Sequence, residues 1–188
     1  MRIALDVDGV LADLLGAWLR VYQEETGRYI ERSEVDSWEF WAKYGITRSE
    51  FMKYMIRAWS RWWEITPLED DMAEDADKLS RYGDVDIVTQ RPAKTISYVK
   101  KWLDKHGVKY RRFTWVPPSK SKSEYGYDVY IDDSPRLAEE LQRQGRLMLL
   151  YNQPWNSEVR GSSVIKRVNS LDECADQLEK LVNGGSLV

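Results

Sequence analysis

The sequence contains one cysteine, Cys174, and one histidine, His106. A single thiol closes no internal disulfide, so stability must come from an apolar core, and a reducing compartment, the cytosol, is the expected setting. A single imidazole, next to a glycine at a helix end, speaks against a multi-histidine metal site and against a histidine-based triad. His106 stands directly before Gly107 and reads as a solvated helix end. Long hydrophobic runs are missing too. No stretch approaches the roughly 18 apolar residues that cross a bilayer, and the opening Met1–Val10 is broken by Asp6 and Asp8, so it reads as neither signal peptide nor membrane span. Nor is there a basic surplus. Lys and Arg number 28 against 31 Asp and Glu, a formal net charge of −3, which disfavours bulk nucleic acid as a partner and leaves a small phosphorylated ligand open. Internal repeats, low-complexity segments and Gly/Pro-rich tracts are absent. Whatever chemistry the chain performs must run on carboxylates, hydroxyls and lysines.

What remains is the composition of a globular protein: 188 residues, 43% hydrophobic and 31% charged, enough for one domain with a modest insertion. Short runs rich in β-branched and aromatic residues recur at Arg2–Val7, Asp84–Thr89, Arg112–Val116, Asp128–Asp132 and Leu147–Tyr151, with Ser163–Val168 as a sixth. Between them Met72–Tyr82, Thr95–His106, Pro135–Gln144 and Leu171–Val182 space apolar residues at three and four, as helices do. Pro92 and Pro135 stand near helix starts, and Gly107 and Gly145 follow helix ends. Strands alternating with helices predict an α/β fold, a Rossmann-like parallel sheet flanked by helices. One region departs from the alternation. Residues 13–66 hold no strand pattern and read as the helices Leu14–Thr26, Arg32–Tyr44 and Thr47–Trp63, with Ser33/Asp36 and Thr47/Glu50 as N-cap pairs. This segment carries more than half of the aromatic residues, including six of the nine tryptophans: Trp18, Trp38, Trp41, Trp59, Trp62 and Trp63. The expected organisation is a core of residues 1–12 and 67–188 with a small helical cap, 13–66, inserted after the first strand. The tail Asn183–Val188 is expected to fray.

Four features lie at strand ends. Asp6-Val7-Asp8-Gly9 closes the first strand, where ligands of open parallel sheets bind. Strict alternation would point the two acids apart, but Gly9 permits a tight turn that brings Asp8 back. Thr89-Gln90-Arg91-Pro92 closes the second strand and leads into a helix, offering a hydroxyl and free backbone N–H groups to an anion. Asp132-Asp133-Ser134-Pro135 ends a further strand, and two adjacent carboxylates suit Mg²⁺ as readily as Asp133 or Ser134 suits a helix cap. Lys120 and Lys122 precede that strand and can offset the acids. Taken singly, each feature is ordinary; acids, hydroxyls and lysines at such junctions are common.

Taken in order, acids, hydroxyl, lysine and a second acid pair resemble the four motifs of the haloacid-dehalogenase (HAD) superfamily, over Arg2 to about Tyr151. More narrowly, the chain resembles the 5′(3′)-deoxyribonucleotidase branch, which has a helical cap between its first two motifs and an Ile-Asp-Asp signature about ten residues after its lysine. Ile131-Asp132-Asp133 stands at that spacing from Lys122, which favours Lys122 over Lys120. Asn152-Gln153-Pro154-Trp155-Asn156 also resembles a segment of that branch, whereas Gln90-Arg91-Pro92 departs from it. The resemblance implies a Mg²⁺-dependent phosphomonoesterase acting through an aspartyl-phosphate on Asp6, with Asp8 as acid and base. Thr89 and Lys122 would hold phosphoryl oxygens, and Gln90 and Trp41 join them in the expected substrate-binding set. The metal set is Asp6, Asp8 through its backbone carbonyl, Asp133, and Asp132 in support. Nucleoside monophosphates are the favoured substrate. A sugar phosphate, or a non-enzymatic phosphate-binding role on the same fold, stays open, as does monomer against homodimer. A receiver domain is set aside, because there the acid pair comes first and the acceptor aspartate lies on a middle strand.

Overall fold

A computed structural model describes residues 1–184. Six strands, β1 (Arg2–Leu5), β2 (Asp84–Gln90), β3 (Arg112–Val116), β4 (Val129–Asp132), β5 (Leu147–Tyr151) and β6 (Ile165–Val168), form one sheet. Their order is β3-β2-β1-β4-β5-β6 and every pairing is parallel. Six α-helices accompany them: α1 (Leu14–Thr26), α2 (Arg48–Ser60), α3 (Met72–Leu79), α4 (Ile96–Lys105), α5 (Pro135–Arg143) and α6 (Leu171–Asn183). The Rossmann-like expectation therefore holds. None of the described helices is long and apolar enough to cross a membrane. Of the tail, Asn183 is the last residue of α6; residues 185–188 lie outside the described residues.

Alternation along the strands sorts their side chains into two apolar layers. Ile3, Leu5, Val85, Ile87, Val129, Ile131 and Leu149 join one cluster with α3, α4 and α6, through residues such as Leu79, Trp102 and Leu178. Ala4, Val88, Tyr130, Met148 and Leu150 face the other way, onto Leu137, Ala138 and Leu141 of α5. Glycines with positive φ terminate elements where expected: Gly107 (φ 69°) after α4 and Gly145 (φ 67°) after α5. Pro135 occupies the first turn of α5, behind the Ser134 cap.

Between β1 and β2 the described chain is helical. The segment leaves and returns through two short strands of backbone lying side by side: Asp13 N–H donates to the Thr66 carbonyl (2.9 Å) and Leu68 N–H to that of Leu11 (2.9 Å). Trp18 centres its packing, stacked on Tyr22 with ring centroids 5.2 Å apart and edge-on to Phe40 and Tyr54. These rings belong to the same apolar cluster as Ile3 and Leu5, so the helical segment shares the core of the sheet. Thr47 and Glu50 form the expected capping box on α2. The expected helix Arg32–Tyr44 is instead two short 3₁₀ turns, Arg32–Glu34 and Phe40–Tyr44. Ser33 and Asp36 do not pair as a cap; Glu31 and Glu34 form that box. The intervening Val35-Asp36-Ser37 is a β-branched residue followed by two turn formers, a poor helix interior.

At the opposite end from the strand-end acids, Asp86 of β2 is fully buried. It accepts from Arg111 Nε (3.0 Å) and Nη2 (2.9 Å) and from the Tyr127 hydroxyl (2.9 Å). Burial alone would raise its pKa, but those hydrogen bonds and the Arg111 charge outweigh it and hold the carboxyl below its ordinary value. A carboxyl depressed below the unfolded value of about 3.9 stabilises the fold above that pH and loses its contribution as pH falls through the folded value. Asp86→Asn is therefore expected to lower the thermal midpoint by a steady amount above about pH 5. The gap to wild type should narrow below about pH 4, as followed by calorimetry across pH.

Candidate active site

The strand order dictates where a ligand can sit. From β1 the chain builds outward through β2 to β3, then crosses back to place β4 on the other flank of β1. The carboxyl ends of β1 and β4 thus form the crevice where strand order reverses. Leu5 pairs with Ile131, and Asp6 N–H donates to the Ile131 carbonyl (3.0 Å). Asp6 accordingly lies beside Asp132, with Asp133 one residue on. Carboxylate oxygens of these three buried acids lie within 4.8 Å of one another.

Lys122 enters this cluster from the 3₁₀ turn Lys122–Tyr125. Its Nζ contacts Asp132 Oδ2 at 2.5 Å and Asp6 Oδ2 at 2.8 Å. The turn is pinned on either side of the lysine, because the Ser121 and Ser123 hydroxyls both donate to Glu140 of α5. Burial alone would favour the neutral amine, but the charges of Asp132 and Asp6 reverse that and raise its pKa, keeping the ammonium. One ammonium does not balance three carboxylates. Burial, opposed by Lys122 but aided by the Asp6 charge, pushes Asp132 up to about 6, even though it also accepts from Ser134 N–H (2.9 Å). Burial and the charges of Asp132 and Asp6 push Asp133 well above the ordinary carboxylate range. Asp6 Oδ1 is buried without a hydrogen-bond partner. An oxygen-only donor set with surplus negative charge and an open buried oxygen fits a hard divalent cation such as Mg²⁺.

The segment after β5 holds Asp133 in place. Trp155 Nε1 donates to Asp133 Oδ2 (3.0 Å), and buried Asn156 donates its amide to the carbonyls of Asp133 (2.9 Å) and Tyr151 (2.8 Å). Sequence reading assigned these residues no role; their signal was only the similarity of Asn152–Asn156 to a family segment. Gly9, with φ +75°, is required twice over. It makes the turn after Asp8, and a Cβ there would lie 2.1 Å from Asp133 Oδ2 and 3.3 Å from Trp155. Gln153 closes the arrangement by donating to the Gly9 carbonyl (2.8 Å).

Asp8 is placed differently from the other acids. Its Oδ1 accepts from Trp59 Nε1 of α2 (3.1 Å) and its Oδ2 is ion-paired with Arg91 Nη2. The carboxylate ligand cluster does not include it. Burial raises its pKa, Arg91 opposes that, and Asp6 adds to the rise. Thr89 is buried at the end of β2, and its hydroxyl accepts from Arg91 Nε (3.0 Å). Gln90 lines the cleft, but its amide nitrogen donates to the carbonyls of Pro117 (3.1 Å) and Lys120 (2.7 Å), tying down the loop before Lys122. Lys120 itself lies at the cleft with no contact to the acids, whereas Lys122 is central.

Above the acids opens a cleft of about 920 Å³, with the helical segment as its far wall. Trp41 lines it, stacked on Phe51 with centroids 4.0 Å apart, together with Trp38, Met52 and Met55. A volume in this range suits a small organic ligand with an anionic end at the acids and lysine.

Gly9→Ala is expected to disable the acid cluster and any turnover that depends on it, since its Cβ and the Asp133 carboxylate compete for one position. The left-handed backbone adds about 1–2 kcal/mol of destabilisation. Steady-state hydrolysis and chemical denaturation of the variant check both effects.

Comparison with known proteins places the chain in a family and a fold. Residues 1–185 match the family described as 5′ nucleotidase, deoxy (Pyrimidine), cytosolic type C protein. A curated protein of Chlorobaculum tepidum, named as a candidate 5′(3′)-deoxyribonucleotidase, is 27% identical over 168 residues, covering 84% of this chain and 81% of the relative. Among solved structures, a hydrolase from Pseudomonas syringae superposes with a TM-score of 0.62 at 14% identity, covering 96% of this chain and 99% of the other. CbbY from Rhodobacter sphaeroides, in complex with phosphate, superposes with a TM-score of 0.60 at 14% identity, covering 92% and 95%. The structural likenesses establish the HAD fold alone. The sequence match spans nearly the whole chain, and the chain therefore belongs to the deoxy (pyrimidine) 5′-nucleotidase family, cytosolic type C, as a 5′-nucleotidase-like phosphatase of HAD fold.

Proposed function

We propose that the protein is a Mg²⁺-dependent phosphomonoester hydrolase that passes through an aspartyl-phosphate on Asp6 and takes nucleoside monophosphates, deoxyribonucleotides foremost, as substrates. The observation that carries the reading is Asp6 itself. It is a buried carboxylate with one oxygen held by Lys122 and the other unpartnered, at the floor of an aromatic-walled cleft.

Asp6, Asp132 and Asp133, with the backbone carbonyl of Asp8, would hold Mg²⁺, whose charge when bound lets an anionic phosphate approach an anionic carboxylate. A carboxylate attacks as the anion, with no O–H bond to break in the attacking step. One of its oxygens attacks phosphorus while the bond from phosphorus to the ester oxygen breaks. Asp8 gives its proton to that leaving oxygen, which would otherwise depart as a poor alkoxide. Asp8 then accepts a proton from the water that attacks phosphorus, and the bond between Asp6 and phosphorus breaks to release phosphate and the free carboxylate. Such acid–base assistance contributes about 10²- to 10⁴-fold. Lys122 faces the charge that spreads over the phosphoryl oxygens. Thr89 can join it through its hydroxyl proton, since its oxygen already accepts from Arg91.

The cap-side wall supports the substrate class. Trp41, stacked on Phe51, presents an aromatic face to the cleft. Stacking of a nucleobase on such a face contributes about 1–3 kcal/mol. Trp59 is fully buried and does not line the cleft, so this role is not open to it.

Two measurements test the proposal. Asp6→Asn should abolish phosphate release, and EDTA should do the same to wild type until Mg²⁺ is restored; turnover by Asp6→Asn near the wild-type rate would overturn the nucleophile. A panel of 5′- and 3′-deoxynucleotides, ribonucleotides, sugar phosphates and p-nitrophenyl phosphate should show the highest kcat/KM for deoxynucleotides. Trp41→Ala should lower that preference about 10-fold or more through KM, while leaving p-nitrophenyl phosphate hydrolysis within a few-fold. Preference for sugar phosphates would keep the hydrolysis and discard the nucleotide.

A further inference from the structure

Arg91 follows Thr89 and Gln90 at the carboxyl end of β2, and the structure puts it to a definite use. Its side chain is entirely buried although it belongs to the loop lining the cleft. Two of its three nitrogens are committed within the protein: Nε donates to Thr89 Oγ1 (3.0 Å) and Nη2 pairs with Asp8 Oδ2. Its guanidinium lies over the Trp59 ring, 4.6 Å from the centroid, and its carbonyl accepts from Trp115 Nε1 (2.8 Å). Trp59, fully buried in α2, in turn donates its own N–H to Asp8 Oδ1 (3.1 Å). It meets Trp102 of α4 edge-on at 6.3 Å, and Trp102 Nε1 is tied to the Ile65 carbonyl (2.8 Å).

The two oxygens of one carboxylate are thus gripped by two donors that are stacked on each other. One donor comes from the strand-end loop of the sheet and the other from the helical segment above the cleft. Rotation of the Asp8 carboxylate breaks at least one of these bonds. A single bond would not fix its plane; two do. We propose that Arg91 and Trp59 are positioning residues that orient Asp8 for proton transfer to the leaving oxygen. Through Trp59, that orientation depends on α2 being seated against the sheet. The proposal rests on Asp8 acting as the acid of the reaction. Arg91 Nε and Nη2 are already engaged within the protein, and Nη1, buried without a hydrogen-bond partner, is the one nitrogen left for a substrate oxygen; the positioning role rests on the other two.

A proton donor must lie within about 2.6–3.2 Å of the atom it protonates, and a misplacement of about 1 Å costs on the order of 10²-fold. That loss has a signature which a merely structural defect lacks. It grows as the leaving group becomes more basic, because only poor leaving groups need the proton. The experiment is kcat/KM for a series of aryl phosphates, from p-nitrophenyl phosphate to phenyl phosphate, with Mg²⁺ present. This ratio covers the steps up to loss of the leaving group and excludes hydrolysis of the intermediate. The enzymes compared are wild type, Trp59→Phe, Arg91→Met and Asp8→Asn. Trp59→Phe keeps the buried ring and removes only the N–H, so it decides the matter even where Arg91→Met fails to fold. The expected result is a loss of about 10- to 100-fold on phenyl phosphate but less than about 3-fold on p-nitrophenyl phosphate, for Trp59→Phe and for folded Arg91→Met alike. Equal losses across the series, or no loss, in folded Trp59→Phe would overturn the positioning role while Asp8→Asn still discriminates between the esters. If Asp8→Asn itself loses equally on all esters, the acid assignment falls, and the positioning proposal falls with it.

Discussion

The organising constraint of this molecule is charge. Four carboxylates, Asp6, Asp8, Asp132 and Asp133, converge at the carboxyl ends of two adjacent strands, and Lys122 and Arg91 are the buried cations that pair with them. Lys122 bridges Asp6 and Asp132; Arg91 takes Asp8. Burial, together with the negative charge left over, shows in the upward shifts of Asp132 and Asp133. Burying such a cluster is unfavourable unless partners and hydrogen bonds are supplied. Much of the surrounding structure does so: the Glu140 anchor on the Lys122 turn, the Trp155 and Asn156 bonds to Asp133, and the absence of a side chain at Gly9. Such a cluster costs local stability, and perturbed pKa values of this kind concentrate at functional sites.

The helical segment after β1 is more than a cover. Its rings pack into the same cluster as the sheet's inner face, and its α2 meets α4 through Trp59 and Trp102. Its connections to the core run side by side, at Asp13 with Thr66 and Leu11 with Leu68. One wall of the cleft is therefore built on the core that supports the acids. The same helix contributes Trp59 to Asp8 and Met52 and Met55 to the cleft, which places a donor to Asp8 and part of the cleft wall on one element.

Much of this was legible in the residues. The six strand patterns fell on the six strands, because β-branched runs bounded by turn residues have few other ways to bury both faces of a parallel sheet. Thr47 with Glu50 capped a helix as its spacing requires. Arg32–Tyr44 did not form one helix, because three- and four-residue spacing of apolar groups does not outweigh Val35-Asp36-Ser37 in the middle. Among site residues, Asp6, Asp132 and Asp133 are legible from strand-end position and order, and Lys122 from its ten-residue spacing to Asp132, as the family resemblance implies. Arg91 stands in the sequence only as part of the Thr89-Gln90-Arg91-Pro92 junction, with no role of its own. Nothing local to Trp59 or Asn156 distinguishes them from core residues, and tryptophans at helical spacing are usually core.

Sequence alone determined the fold class, the strand-end placement of the acids and the chemistry open to a chain with one histidine and one cysteine, because period-two and helical patterning and residue chemistry are local properties. Only the tertiary structure decided which charges meet. That Lys122 rather than Lys120 reaches Asp6, that Asp8 is turned to Arg91 and Trp59 instead of joining the other acids, and that Gly9 must lack a side chain all depend on parallel register and crossover between segments from about 10 to more than 120 residues apart. Contacts of that kind are set by how elements pack, and packing is a property of the whole chain at once.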